Sequence, residues 1–320
     1  MPVPTGVHEV DVEGKLILPG LIDLHVHGGN GFDSMDATHE SIVGISQYHA
    51  QHGTTAFLPT THTESYTKTK EALEQLAQSA KSELNGAEIV GIHLEGPFIN
   101  PKRAGGQMKS FIRLPDIVEL QEYIAASEEL VRLVTLAPEM KGGLETARWL
   151  VNKGISVSIG HSDAVYEQVR SAMSAGISQT AHHFNAMSPL HHREPGIAGA
   201  GLILNELTVE LIADGVHVHP AIAKLLFDVK GASKLCLVTD AVICAGLPDG
   251  TYGRRKVVNG KVYVKDGTQL SGSTLTSLEA VKNMVSFTGY PLESIIPSMT
   301  EVPAKIAGID ERKGTLKKRK

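Results

Sequence analysis

The order of elements along this 320-residue chain predicts an α/β fold, a TIM-like (β/α)8 barrel. Three observations lead there. Strand-like runs occur near 21–28, 54–61, 88–95, 131–137, 156–161, 179–184, 208–214 and 234–240, which makes eight. Most are separated by helix-compatible stretches, the alternation that places parallel strands inside a layer of helices. No Gly-x-Gly-x-x-Gly turn follows the first strand, so an open doubly wound sheet fits less well. The length suits a single barrel of about 250 residues with small additions.

Taken in order, Val7 to Leu18 reads as β with a turn at Gly14, too short to stand alone and in need of a partner strand. The run Leu21-Ile22-Asp23-Leu24-His25-Val26-His27-Gly28 alternates apolar and polar residues, as a strand does. Helices are expected over 40–52, 68–84, 116–126, 143–153 and 166–175, with Gly53, Gly86, Gly154 and Gly176 near their ends as left-handed stops. After His182-His183-Phe184-Asn185, the stretch from Pro189 through Pro195 to Gly201 reads as a long loop over the barrel mouth rather than a helix. Residues 252–264 read as a β-hairpin turning at Asn259-Gly260, a lid or subunit contact. The expected organisation is a short N-terminal β segment over 1–18, a barrel over 19–308 carrying a hairpin insertion at about 246–272, and a tail over 309–320.

Composition narrows the function. The chain is 42% hydrophobic and 20% charged with a net charge of -5, an ordinary globular balance that suggests neither a nucleic-acid nor a membrane surface. The basic run Lys317-Lys318-Arg319-Lys320 is expected to be a solvated tail. Only Cys236 and Cys244 are present, which excludes a disulfide framework and a Cys-rich zinc site and predicts free thiols in a reducing compartment. Residues 1–4 lack the pattern of a signal peptide, and no stretch approaches the ~20 apolar residues of a membrane helix, so a cytoplasmic location is expected.

Residues two apart on a strand share a face, so His25 and His27 can point at one metal or one substrate. His-x-His alone fits an ordinary half-buried strand equally well. Further candidates at the C-terminal ends of the strands change the balance: His62, His93, Glu95, His161, His182, His183, Asp214, His217 and Asp240. Imidazoles with carboxylates are the donor set of a borderline divalent cation, which makes a metal-dependent hydrolase the expected class. Adjacent on a strand, His182 and His183 should face opposite ways, so at most one enters the site. His93 is placed as a supporting partner of the ligands. His8, His39, His49, His52 and His219 are expected to be structural or exposed, His191 and His192 to lie in a loop, and Asp163 to cap the following helix.

The motifs resemble the amidohydrolase superfamily, and within it the family of N-acetylglucosamine-6-phosphate deacetylases. The resemblance runs from about Lys15 to Leu316. It rests on Pro-Gly-Leu-Ile-Asp-Leu-His-Val-His-Gly (19–28), His-Leu-Glu-Gly-Pro-Phe (93–98), Gly-His-Ser (160–162), His-His-Phe-Asn-Ala-Met (182–187), Arg-Glu-Pro-Gly (193–196), Ile-Ala-Asp-Gly-Val-His-Val (212–218), Leu-Val-Thr-Asp-Ala (237–241) and Leu-Ser-Gly-Ser (270–273). His-x-His is widely shared, whereas His-Leu-Glu-Gly-Pro-Phe, Phe-Asn-Ala-Met and Arg-Glu-Pro-Gly are specific to the deacetylases.

The resemblance implies roles. Glu95, His161 and His182 would hold the main metal; His25 and His27, with Glu95 bridging and Asp240 shared, would form a second site that only some relatives fill. Asp240 would be the general base and acid. Asn185, the Ala186 backbone and Arg193 would clamp the sugar phosphate, with His217 contacting substrate and Gln107, Leu270 and Ser273 surrounding the sugar. The implied cofactor is one or two divalent ions per subunit, Zn, Fe, Mn or Co, and the implied substrate an amino-sugar phosphate. Because such an Arg can come from a neighbouring subunit, a homodimer is expected. Gln107 stands where some relatives carry a His near the substrate carbonyl. The family also has a small β-sandwich, of which the short segments before residue 21 and after residue 308 would be a truncated remnant. A cyclic-amide hydrolase is the nearest alternative, but 131–139 lacks the Lys such enzymes carbamylate. A non-catalytic sugar-phosphate-binding remnant is the other.

Overall fold

The computed structural model describes Gly6 and residues 10–316. Eight strands and eight helices alternate along it: β1 (Leu21–Val26), α1 (His39–Gln51), β2 (Thr54–Pro59), α2 (Tyr66–Ala80), β3 (Ile92–Glu95), α3 (Ile117–Ala126), β4 (Val131–Leu136), α4 (Gly143–Asn152), β5 (Ser156–Ile159), α5 (Tyr166–Ser174), β6 (Gln179–Thr180), α6 (Gly196–Ile203), β7 (Thr208–Ile212), α7 (Pro220–Lys230), β8 (Leu235–Val238) and α8 (Ser277–Thr288). Strands β3 to β8 form one six-stranded parallel sheet in chain order. Strands β1 and β2 pair in parallel beside it, joined to its two edges by single parallel bridges, Thr60 with His93 and Val26 with Ala241. The sheet is curled in the TIM-barrel manner.

Period-two alternation on β1 decides what faces where. Ile22, Leu24 and Val26 enter the buried apolar packing between strands and helices, while Asp23, His25 and His27 face a polar interior. Helix starts follow local chemistry: Thr38, Ser65 and Asp116 accept backbone N–H bonds at the starts of α1, α2 and α3, and Thr276 with Glu279 closes a capping box on α8.

Several expectations are corrected. Residues 10–18 form a turn at Glu13-Gly14 but no strand, because no neighbouring strand is there to pair with; Leu16 and Ile17 stay 69% and 65% exposed. Val7, His8 and the basic run 317–320 lie outside the described residues. Among those described, neither 10–20 nor 307–316 contains a strand. The run 88–95 breaks into Glu88–Ile89, paired with β2, and β3, paired with β4. Gly86 is not a left-handed stop. Asn85 takes that conformation at φ 51, and Gly86 is needed because a Cβ would sit 2.4 Å from Ser46 Oγ.

Strand six ends at Thr180, so His182 and His183 lie beyond it, His182 at φ 29. The loop expected over 189–201 contains the buried helix α6. Its glycines read as loop punctuation but serve close packing: a Cβ on Gly201 would fall 2.1 Å from the His183 ring. Asp163 does not cap α5, whose N-cap is Val165; Asp163 instead pairs with Arg103 at 2.7 Å. After β8, the strands β9 (Gly250–Tyr252), β10 (Arg255–Val258) and β11 (Lys261–Val264) make a three-stranded antiparallel sheet, followed after α8 by α9 (Leu292–Ile295) and α10 (Glu301–Ile306). No helix among the described residues is long and apolar enough to cross a membrane, and both cysteines are buried and free.

Candidate active site

The C-terminal ends of the strands deliver the polar residues to one place. Two groups of side chains each bring ligand atoms within 4.8 Å of one another: Glu95, His161 and His182, and His25, His27 and Asp240. Glu95, at the end of β3, lies between them. Its Oε1 is 3.3 Å from His25 Nε2, 3.4 Å from His161 Nε2 and 3.1 Å from His182 Nε2. Its Oε2 is 3.3 Å from His27 Nε2, and Asp240 Oδ1 stands 3.3 Å from the same nitrogen. His161, His182 and Asp240 sit at φ 48, 29 and 50, a left-handed backbone costing about 1–3 kcal/mol per non-glycine residue that turns these side chains off their strand axes.

The imidazoles share one arrangement. Each places Nδ1 against an oxygen: His25 on Glu210 Oε2 at 3.2 Å, His27 on Thr60 O at 3.2 Å, His161 on Arg103 O at 2.9 Å and His182 on Asn185 O at 3.2 Å. An oxygen acceptor fixes the proton on Nδ1 and leaves the Nε2 lone pairs directed inward. Lone pairs on His161 and His182 Nε2, 3.2 Å apart, repel unless a cation lies between them, and His25 Nε2 is buried without a hydrogen-bond partner. The donor set therefore fits one or two divalent ions.

The electrostatics agree. Burial alone would lower His25, but Glu95 and Asp240 outweigh it and hold its pKa well above the usual imidazole value. His27 and His182 are raised in the same way, chiefly by carboxylates that overcome burial. Burial would raise Glu95 and Asp240, yet the surrounding imidazoles keep both below the ordinary carboxylate range. This field favours positive charge between the groups and keeps Asp240 ionised.

Above the cluster opens a cavity of about 380 Å³, lined by His27, Glu95, His161, His182 and Asp240 with Gln107, Asn185, Ala186, His217 and Leu270. Gln107 donates to Glu95 Oε2 at 2.6 Å and accepts from Thr63 N–H, so its amide is tied to the Glu95 carboxylate. Asp214 holds His217 Nδ1 at 2.7 Å. Ser273 faces a neighbouring hollow and donates its hydroxyl to Thr239 O. Arg193 stands outside the cavity, exposed beside His192. His93 bonds Leu24 O and Thr135 Oγ1 beneath His25 and does not reach the cavity wall, while His183 turns away to Ala198 O.

A model described as "Amidohydrolase family" matches residues 16–320. The chain is also 42% identical over 309 residues to N-acetylglucosamine-6-phosphate deacetylase of Bacillus subtilis (strain 168), spanning 94% of this chain and 78% of that protein. The chain belongs to the amidohydrolase family, among its N-acetylglucosamine-6-phosphate deacetylases. Another family member, N-acetylgalactosamine-6-phosphate deacetylase of Escherichia coli O157:H7, is 40% identical over 319 residues, 99% of this chain and 84% of that one. Among solved amidohydrolase structures, the Pasteurella multocida N-acetylglucosamine-6-phosphate deacetylase superposes with TM-score 0.90 at 32% identity, covering 98% of this chain and 83% of its own. A variant of the Mycobacterium smegmatis enzyme in complex with N-acetyl-D-glucosamine-6-phosphate does so with TM-score 0.88 at 35% identity, covering 91% and 78%.

Sequence reasoning missed several residues of this amidohydrolase site. Asp23 accepts from Thr239 Oγ1 at 2.6 Å and from His25 N–H, tying β1 to the turn that carries Asp240; burial pushes its pKa up to about 6. Its position two residues before His25 on an alternating strand was the available signal. Asp33, half-buried, and Arg255, buried, were also missed; they flank His62, itself a strand-end candidate, which is buried, stacked on His27 at 4.0 Å and lowered to about 3 by burial and by His27. Glu210, fully buried on β7, touches His25; a lone carboxylate between Val209 and Leu211 was its only mark.

Proposed function

We propose that this chain hydrolyses the acetamido group of N-acetylglucosamine 6-phosphate to glucosamine 6-phosphate and acetate, a step of amino-sugar catabolism. The observation that carries the site assignment is Glu95, whose carboxylate stands 3.1–3.4 Å from the Nε2 atoms of His25, His27, His161 and His182 at the floor of one cavity. In this reading Glu95, His161 and His182 hold one divalent ion and His25, His27, Asp240 and Glu95 a second, Zn, Fe, Mn or Co according to supply. A bound ion supplies polarisation of the amide carbonyl and a lowered pKa for water.

The chain's own residues do the rest. Asp240, ionised and beside His27, accepts a proton from the attacking water and returns it to the leaving nitrogen as the carbonyl C–N bond breaks and the new C–O bond forms. His217, held by Asp214, Asn185 with the Ala186 backbone, Gln107 and Leu270 orient the sugar from the cavity wall, and Ser273 braces the loop that carries Leu270. Arg193 offers a planar fork for phosphate oxygens. Its exposure outside the cavity of one chain supports supply to the site of a second copy, hence a homodimer. A closed (β/α)8 ring over 19–308, supported by the two bridges that join the sheets, with short segments at 1–18 and 309–320, completes the reading, as does a cytoplasmic setting compatible with two free thiols.

The test is acetate release from N-acetylglucosamine 6-phosphate by purified protein of measured metal content, compared with the unphosphorylated sugar and with N-acetylgalactosamine 6-phosphate. Metal-dependent turnover that needs the phosphate supports the proposal. Preference for the galactosamine epimer would reassign the sugar, and inactivity of folded, metal-loaded protein would overturn the reading.

A further inference from the structure

Of the four oxygens that fix the ligand histidines, three belong to the main chain: Thr60 O, Arg103 O and Asn185 O. The fourth is a side chain, Glu210 Oε2, 3.2 Å from His25 Nδ1. Glu210 and His25 are both 0% exposed, so this contact has no competition from bulk water. The same Oε2 accepts the backbone N–H of His182 at 3.2 Å, while Oε1 has no hydrogen-bond partner. A buried, half-satisfied carboxylate is expensive to keep unless its charge is used.

We propose that Glu210 is the positioning residue of the second ion: its carboxylate locks the His25 imidazole with Nδ1 protonated and Nε2 free, and thereby sets whether the His25, His27 and Asp240 group holds a metal. The proposal rests on the two-site reading above. A carboxylate acceptor makes the imidazole a more basic ligand than a carbonyl acceptor does, so the one histidine oriented by a charged side chain is the one most sensitive to its loss. The first site is insulated. Its imidazoles are fixed by main-chain carbonyls, and Glu210 reaches His182 through the backbone N–H, a bond to which a neutral amide oxygen is equally suited.

The experiment is a titration of metal-free protein with Co²⁺, followed by the visible d–d spectrum and by metal content after gel filtration, on the unaltered chain, Glu210→Gln and Glu210→Asp. The unaltered chain is expected to take two ions. Glu210→Gln should weaken the second by about 10–100-fold and leave the first unchanged. Glu210→Asp, which keeps the charge but draws it back from Nδ1, should weaken the second by less, and it carries the test if the Gln variant does not fold. Unchanged second-ion affinity in a folded variant overturns the proposal, as does an equal loss at both sites, which would mark a purely structural role. A single ion in the unaltered chain overturns the two-site reading itself, and this role with it.

Discussion

Gly201→Ala sets helix propensity against packing at one atom. In an exposed helix the change would stabilise by about 1 kcal/mol. Here the added Cβ would lie 2.1 Å from His183 Cε1 and 2.5 Å from Nε2, so the ring must retreat by roughly 1.5–2 Å to reach ordinary contact. His183 has nowhere to go without loss: it is fully buried, donating Nε2–H to Ala198 O at 3.2 Å and accepting at Nδ1 from Thr180 Oγ1 at 3.0 Å. Overpacking costs about 1–3 kcal/mol and each weakened buried hydrogen bond about 1 kcal/mol. The net expectation is a loss of about 2 kcal/mol, read as a lower urea midpoint with an unchanged slope. Because His183 adjoins His182, weaker binding at the Glu95, His161 and His182 group should accompany it. The decisive assay is a double-mutant cycle with His183→Ala, which opens the space the methyl needs. Gly201→Ala should then range from neutral to about 1 kcal/mol stabilising, giving a coupling of about 2–3 kcal/mol; additivity within about 0.5 kcal/mol would refute the steric argument.

Three further outcomes are expected. Asp240→Asn should lower kcat by about 10²–10⁴-fold, the range for losing a positioned acid–base group, while the Glu95, His161 and His182 group still binds one ion; activity within tenfold of normal would remove Asp240 from proton transfer. Arg193→Ala should raise KM for the phosphorylated sugar with little change for the unphosphorylated one, and equal effects on both would remove it from the clamp. His49 is buried, bonded to Gly28 O, and lowered by that burial from 6.5 to about 4. Its folded pKa lies below its unfolded one, so its contribution is complete above pH 6.5 and is lost as pH falls towards 4, about 3 kcal/mol in all. His49→Gln, which keeps an N–H donor for Gly28 O, should flatten the acid side of a stability–pH curve. An unchanged slope between those pH values would show that His49 does not carry it.

Much of the site is legible in the sequence because its signals are local. Alternation along residues 21–27 puts Asp23, His25 and His27 on one face before any neighbour is known, and parallel strands bring the carboxylates and imidazoles at their C-terminal ends to one side of the sheet. Donor chemistry is a property of residue type, so Glu95, His161, His182 and Asp240 could be named as candidate donors from the chain alone. Contacts between distant segments carry no such mark. Glu210 and His25 are 185 residues apart, and nothing near either reports the other. Helix α6 was hidden because glycine reads as a breaker, although here it admits the His183 ring against the helix backbone. Likewise the early end of β6, the tie from Gln107 to Glu95 and the place of Arg193 outside its own chain's cavity depend on what folds against them. Residue type and strand spacing were enough to tell which chemistry the strands carry to one end of the curled sheet; which oxygen orients each histidine depends on where distant backbone and side chains come to rest, and so came only from the folded chain.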